Sequence, residues 1–81
     1  MTSEETRRKA IASAVVKELR ARREANGLSM NILAAKAGLS QQTVSYVERE
    51  MRNPTLDTLL RISAVLEVDL GEILQAAGRK G

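Results

Sequence analysis

Residues 27–55 read Gly27-Leu28-Ser29-Met30-Asn31-Ile32-Leu33-Ala34-Ala35-Lys36-Ala37-Gly38-Leu39-Ser40-Gln41-Gln42-Thr43-Val44-Ser45-Tyr46-Val47-Glu48-Arg49-Glu50-Met51-Arg52-Asn53-Pro54-Thr55. The triplet Gly-Leu-Ser occurs at 27–29 and again at 38–40. In each, the glycine stops one helix, the leucine staples the chain, and the serine caps the next helix. This predicts two short helices joined by almost nothing, one carrying Leu33, Ala34 and Ala37, the next running from Gln41 to about Glu50. Asn53-Pro54 then breaks the chain, and Thr55 caps a fourth helix bearing Leu56, Leu59, Leu60, Ile62, Ser63 and Leu66, closed by Val68.

Upstream, Thr2 or Ser3 caps a first helix with Glu4 and Glu5 in its first turn, where the helix dipole favours negative charge. Ile11, Val15 and Leu19 recur every four residues until the Asn26-Gly27 stop. The first half of this long segment is either a straight continuation of the helix or a separate arm. Downstream, Asp69 and Glu72 form a D-x-x-E cap for a last helix with Leu70, Ile73 and Leu74, ending at Gly78. No segment alternates apolar and polar residues with β-branched enrichment, so the fold class is all-α with five helices. The organisation is an N-terminal extension of helix 1 (1–15), a helical domain (16–77) and a frayed tail (78–81).

Eighty-one residues allow one domain. The chain has no cysteine and no histidine, which removes disulfides, thiol nucleophiles, imidazole bases and nearly every zinc arrangement. No metal and no cofactor is expected, and an enzyme is disfavoured: Asp57, Glu67, Asp69 and Glu72 read as caps and solvated charges. Net charge is +3, but between Arg7 and Arg23 seven basic residues face the single acid Glu18. That concentration suits a polyanion. With no apolar run of 18 residues and no secretory leader pattern, the expectation is a soluble, cytoplasmic protein without a membrane partner.

At about 100° per residue, the third helix places Val44, Val47 and Met51 on one side and Gln42, Ser45, Tyr46 and Arg49 on the other. The first side is a core stripe. The second is a row of uncharged hydrogen-bonding groups plus one arginine. Glutamine amides bond bidentately to adenine N6 and N7, and serine serves several bases, so this face suits base edges in a duplex groove. A polar surface helix is the alternative on these residues alone.

The stretch from Leu19 to Leu74, about two thirds of the chain, resembles the helix-turn-helix domain of the Cro and phage-repressor (XRE) family. The resemblance rests on Leu19 and Arg23, Gly27-Leu28-Ser29, Leu33-Ala34, Ala37-Gly38-Leu39-Ser40, Val44-Ser45, Val47-Glu48 and Arg52-Asn53-Pro54-Thr55. It continues through Leu56, Leu59, Ile62, Leu66, Val68 and Leu70. It implies a five-helix, lambda-repressor-like fold with an extended first helix, whose third helix enters the major groove of double-stranded DNA. On that pattern Gln41, Gln42, Ser45 and Tyr46 contact bases. Ser29, Thr43, Arg49, Arg52 and Asn53 contact the DNA backbone, and Arg23 with Glu48 forms a structural ion pair. The implied function is a transcriptional regulator acting as a homodimer on a roughly palindromic operator, with no small-molecule ligand. A protein-interaction module on the same fold is the rival.

Three residues depart from the family pattern. Met30 stands where a phosphate-bonding glutamine is usual. Glu50 stands where a glycine ends the third helix, so it either takes a left-handed backbone or the helix ends differently. Ile32 occupies a normally polar position and would form a small apolar patch with Met30. The run Arg7-Arg8-Lys9 is either a solvated helix face or an arm on the DNA backbone, and charge alone does not choose.

Overall fold

The computed structural model describes residues 2–80, with the side chain of Lys80 left aside. Five helices follow in order: α1 (Ser3–Ala25), α2 (Met30–Ala37), α3 (Gln41–Glu48), α4 (Leu56–Leu66) and α5 (Leu70–Lys80), with no strand among the described residues. Each is started by a side chain that satisfies an orphaned backbone N–H. Thr2, Ser29, Ser40 and Thr55 accept from the N–H three residues on, at 3.0–3.1 Å. Asp69 accepts from Gly71 N at 2.8 Å and more distantly from Glu72 N at 3.3 Å.

The ends of α1 to α4 are equally uniform. In each, one residue turns left-handed and the N–H after it returns to a carbonyl five residues back: Leu28 to Arg23, Leu39 to Ala34, Met51 to Tyr46, Val68 to Ser63, at 2.9–3.1 Å. The left-handed residues are Gly27 (φ 68°), Gly38 (φ 70°), Glu50 (φ 56°) and Glu67 (φ 57°). Glycine adopts this conformation freely, whereas Glu50 and Glu67 hold a Cβ against the following carbonyl. Changing Glu50 to Gly is therefore expected to raise stability by about 1 kcal/mol, a melting-temperature gain of roughly 4–8 °C for a domain of this size. Thermal unfolding followed by circular dichroism checks it, and an unchanged melting temperature would mean that Glu50 is not strained.

The core forms where the helices converge. Val15, Val16 and Leu19 of α1 meet Leu33 and Ala34 of α2, Val44 and Val47 of α3, Ile62 and Leu66 of α4, and Leu70, Ile73 and Ala77 of α5. Leu33 and Val44 are fully enclosed. The buried Ser63 is satisfied by donating to Leu59 O at 2.7 Å.

α1 is one helix from Ser3 onward, the straight continuation. At 1.5 Å per residue it is roughly 34 Å long, close to the longest dimension of the molecule, 37 Å. Val15, assigned by the sequence to the N-terminal extension, is 3% exposed in the core, so that half of the helix is anchored. The expected stop at Gly78 is not what the structure has. Gly78 lacks the left-handed turn, α5 continues through Lys80, and Arg7 Nη2 donates to the Gly78 carbonyl at 3.4 Å. Gly81 lies outside the described residues.

Met51 also departs from expectation. Because Glu50 turns the backbone left-handed, the 100° rotation of α3 stops before Met51, which is 56% exposed instead of continuing the core stripe. Met30 packs partly buried against the core, so the anticipated Met30–Ile32 patch reduces to exposed Ile32. Leu56 and Leu60, four residues apart on α4, are exposed as well.

Candidate nucleic-acid interface

α3 is an eight-residue helix whose two sides have opposite fates. Ser40 sets its start, and the left-handed Glu50 sets its end. Val44 and Val47, three residues apart, bury one side against the core. Gln41, Gln42 and Arg49 are thereby held in solvent, with Ser45 and Tyr46 half-exposed beside them. The structure brings together two of the residues assigned to bases and one assigned to the backbone: Gln42 Nε2 donates to Tyr46 Oη at 2.6 Å, and the Arg52 guanidinium lies 4.6 Å from the centre of the Tyr46 ring. Tyr46 is the single aromatic residue of the chain. A guanidinium over an exposed ring is worth about 0.5–1 kcal/mol. Gln42 keeps its amide oxygen and one amide hydrogen free, so the cluster orients the group while leaving an acceptor and a donor for a partner.

The residues assigned to the DNA backbone lie at the start of α2, on α3 and in the loop that follows it. Ser29 caps α2, and its hydroxyl accepts from Ile32 N, leaving the hydroxyl proton to donate outward. Thr43 is half-buried and shares a 2.8 Å hydrogen bond with Ser40 Oγ. Arg49 caps the end of α3, while Arg52 and Asn53 stand exposed in the loop to α4. Among the described residues neither Arg49 nor Arg52 forms an ion pair. The first turns of α1, α4 and α5 each carry an acid, whereas those of α2 and α3 carry none. The positive dipole ends at Ser29 and Ser40 are therefore not neutralised, which suits an anion.

Behind the face, Arg23 and Glu48 fix its attitude. Arg23 Nε and Nη2 donate to the two Glu48 carboxylate oxygens at 2.6 and 2.9 Å, and Nη1 donates to Leu28 O at 2.7 Å. One guanidinium thus ties together α1, the α1–α2 turn and the last turn of α3. The hydrogen bonds that Arg23 donates to Glu48 raise the Arg23 pKa above the usual arginine value, against the opposing effect of partial burial. A base whose folded pKa is raised contributes its stability in full below the unfolded value, so this contribution is present throughout the neutral range.

The Gln42–Tyr46–Arg52 cluster is the feature that sequence reasoning missed. The Gln42 to Tyr46 spacing of four residues was its available signal, since such positions are neighbours on a helix surface. The placing of Arg52 depends on the loop and carried no signal.

A helix-turn-helix family model matches residues 19–73. Among curated relatives, the HTH-type transcriptional regulator SlrR of Bacillus subtilis (strain 168) is 39% identical over 59 residues, covering 72% of this chain and 39% of that protein. The HTH-type transcriptional regulator SinR of the same organism is 38% identical over 53 residues, covering 64% of this chain and 48% of its own length. An HTH-type transcriptional regulator of Haemophilus influenzae is 35% identical over 63 residues, 78% of this chain and 64% of that protein. The match thus spans less than two thirds of these relatives. No solved structure matches the chain. Among the described residues no helix is long and apolar enough to cross a membrane.

Proposed function

The chain belongs to the XRE-type helix-turn-helix family, and from that membership we propose that it is a sequence-specific DNA-binding transcriptional regulator acting as a homodimer on a roughly palindromic operator. The observation that carries this reading is the division of α3: Val44 and Val47 close one side against the core, and Gln41, Gln42, Ser45 and Tyr46 stand on the other. In this reading the second side enters the major groove. The two glutamines and Ser45 address base edges, and Tyr46 adds its hydroxyl. Ser29, Thr43, Arg49, Arg52 and Asn53 hold the phosphates on either side, helped by the acid-free N-terminus of α2.

The homodimer reading is supported by Leu60 and Leu74, apolar side chains 50% and 41% exposed on α4 and α5. Two copies joined there would present their α3 helices to half-sites about one helical turn, roughly 34–36 Å, apart. Leu74→Lys is expected to convert the dimer to monomer in sedimentation equilibrium. A chain that is monomeric before the change, at concentrations that saturate the operator, would refute the dimer.

The experiment for the reading as a whole begins with selection of duplexes from a random pool, followed by competition binding with every single-base variant of the selected site. Gln42→Ala is expected to lose about 1–3 kcal/mol of discrimination at one base pair of each half-site, with binding to unrelated duplex nearly intact. Failure of the unaltered chain to enrich any sequence, or an unchanged preference at every position in Gln42→Ala, would overturn the assignment and favour a protein partner for α3.

A further inference from the structure

α1 runs past one flank of the candidate interface, and its flank is not neutral. Lys9 and Ser13, four residues apart on one helix face, border a groove of about 280 Å3 whose other wall includes Arg52, Asn53 and Glu50. The same face of α1 continues to Arg20, which lies 3.9 Å from Glu48 of α3, so it is the face turned toward α3. The three consecutive cations at its start have separate fates, because successive residues point about 100° apart. Arg7 turns to α5 and donates to Gly78 O, and Arg8 pairs with Glu4 at 3.6 Å. Lys9 is exposed and forms no ion pair among the described residues, so its charge is open to a ligand from outside.

We propose that Lys9, with the Ser13 hydroxyl beside it, extends the phosphate-binding surface of the α3–α4 loop onto α1, so that the DNA strand held by Arg52 and Asn53 is also met by Lys9. The inference rests on the DNA-binding reading above and adds to it a contact with the phosphodiester backbone that is indifferent to sequence. The groove supplies an ammonium, a guanidinium, an amide and a hydroxyl, all donors suited to phosphate oxygens. The Glu50 carboxylate is the one opposing charge there.

The test compares the unaltered chain, Lys9→Gln and Arg8→Gln in binding to the selected operator and to an unrelated duplex across a salt series. Lys9→Gln is expected to weaken both complexes by the same factor and, with one Lys9 in each subunit of the bound dimer, to reduce the slope of log affinity against log salt by about 1.8. Between about 50 and 200 mM salt, the unaltered dimer then loses about 12-fold more affinity than the variant does. Arg8→Gln, whose partner Glu4 lies on the same helix, is expected to leave the slope within a third of that change. A Lys9→Gln slope equal to that of the unaltered chain, or a loss confined to the operator, overturns the proposal while leaving the α3 reading intact. Absence of salt-dependent binding by the unaltered chain overturns the reading beneath it. Equal helicity of the three proteins by circular dichroism shows that the comparison is between folded chains.

Discussion

Replacing Glu48 with Ala is expected to destabilise the domain by about 3–5 kcal/mol, the usual cost of removing one partner from a buried ion pair. The Arg23 and Glu48 side chains are only 11% and 9% exposed, so the attraction between them is poorly screened. Without Glu48, the Arg23 guanidinium keeps its bond to Leu28 O but loses acceptors for Nε and Nη2, and water reaches them only in part. Arg20, 3.9 Å from the same carboxylate, loses an opposite charge as well. A small domain commonly has about 5–15 kcal/mol of total stability, so the variant would be substantially unfolded well below the parent melting temperature. Urea titration followed by circular dichroism measures the loss. A cost below about 1 kcal/mol would show that the pair behaves like an exposed one. The double replacement Arg23→Met with Glu48→Leu serves as the comparison. It removes both charges together, so it should recover most of the stability. What it would not restore is the three-way tie among α1, the turn and α3. Weaker operator binding at full stability would then measure what the ion pair contributes to the attitude of α3.

Leu33→Ala is the second large effect, at about 2.7–5 kcal/mol. Leu33 is 1% exposed and sits in the core cluster with Val44, the fully enclosed residue of α3. Removing its isobutyl group loses the transfer energy of the buried carbons and leaves a cavity that the short helices on either side of Gly38 cannot fully collapse around. Leu60→Ala makes the contrast, because Leu60 is 50% exposed. At low protein concentration it should cost well under half as much. If Leu60 lies in a dimer contact, its cost will instead rise with protein concentration, whereas that of Leu33 will not. Equal costs for the two leucines at every concentration would contradict the placing of the core.

Most of the architecture was legible because helix starts are local events. A serine or threonine three residues before an unpaired N–H is visible in the letters, and Ser29, Ser40 and Thr55 all cap as their positions suggest. Helix ends were less legible, since glycine permits a left-handed turn without forcing one. Gly38 makes the turn and Gly78 does not, and Glu67 makes it with nothing in its side chain to announce it. Met51 was misassigned for the same reason: a helical rotation extended past an unseen stop puts a residue on the wrong side. The exposure of Leu56 and Leu60 depends on which neighbours α4 meets, information that is absent from its own spacing. On α3, the helical spacing separated the exposed side from the buried one but did not show the coupling among Gln42, Tyr46 and Arg52, because Arg52 reaches Tyr46 only through the shape of the loop.

The solitary aromatic side chain has a practical consequence. With no tryptophan in the chain, all intrinsic ultraviolet fluorescence originates at Tyr46, inside the cluster with Gln42 and Arg52. The emission of the native protein is therefore an unlabelled optical probe of that one spot, and a ligand settling on α3 would alter its intensity without any dye, tag or engineered chromophore.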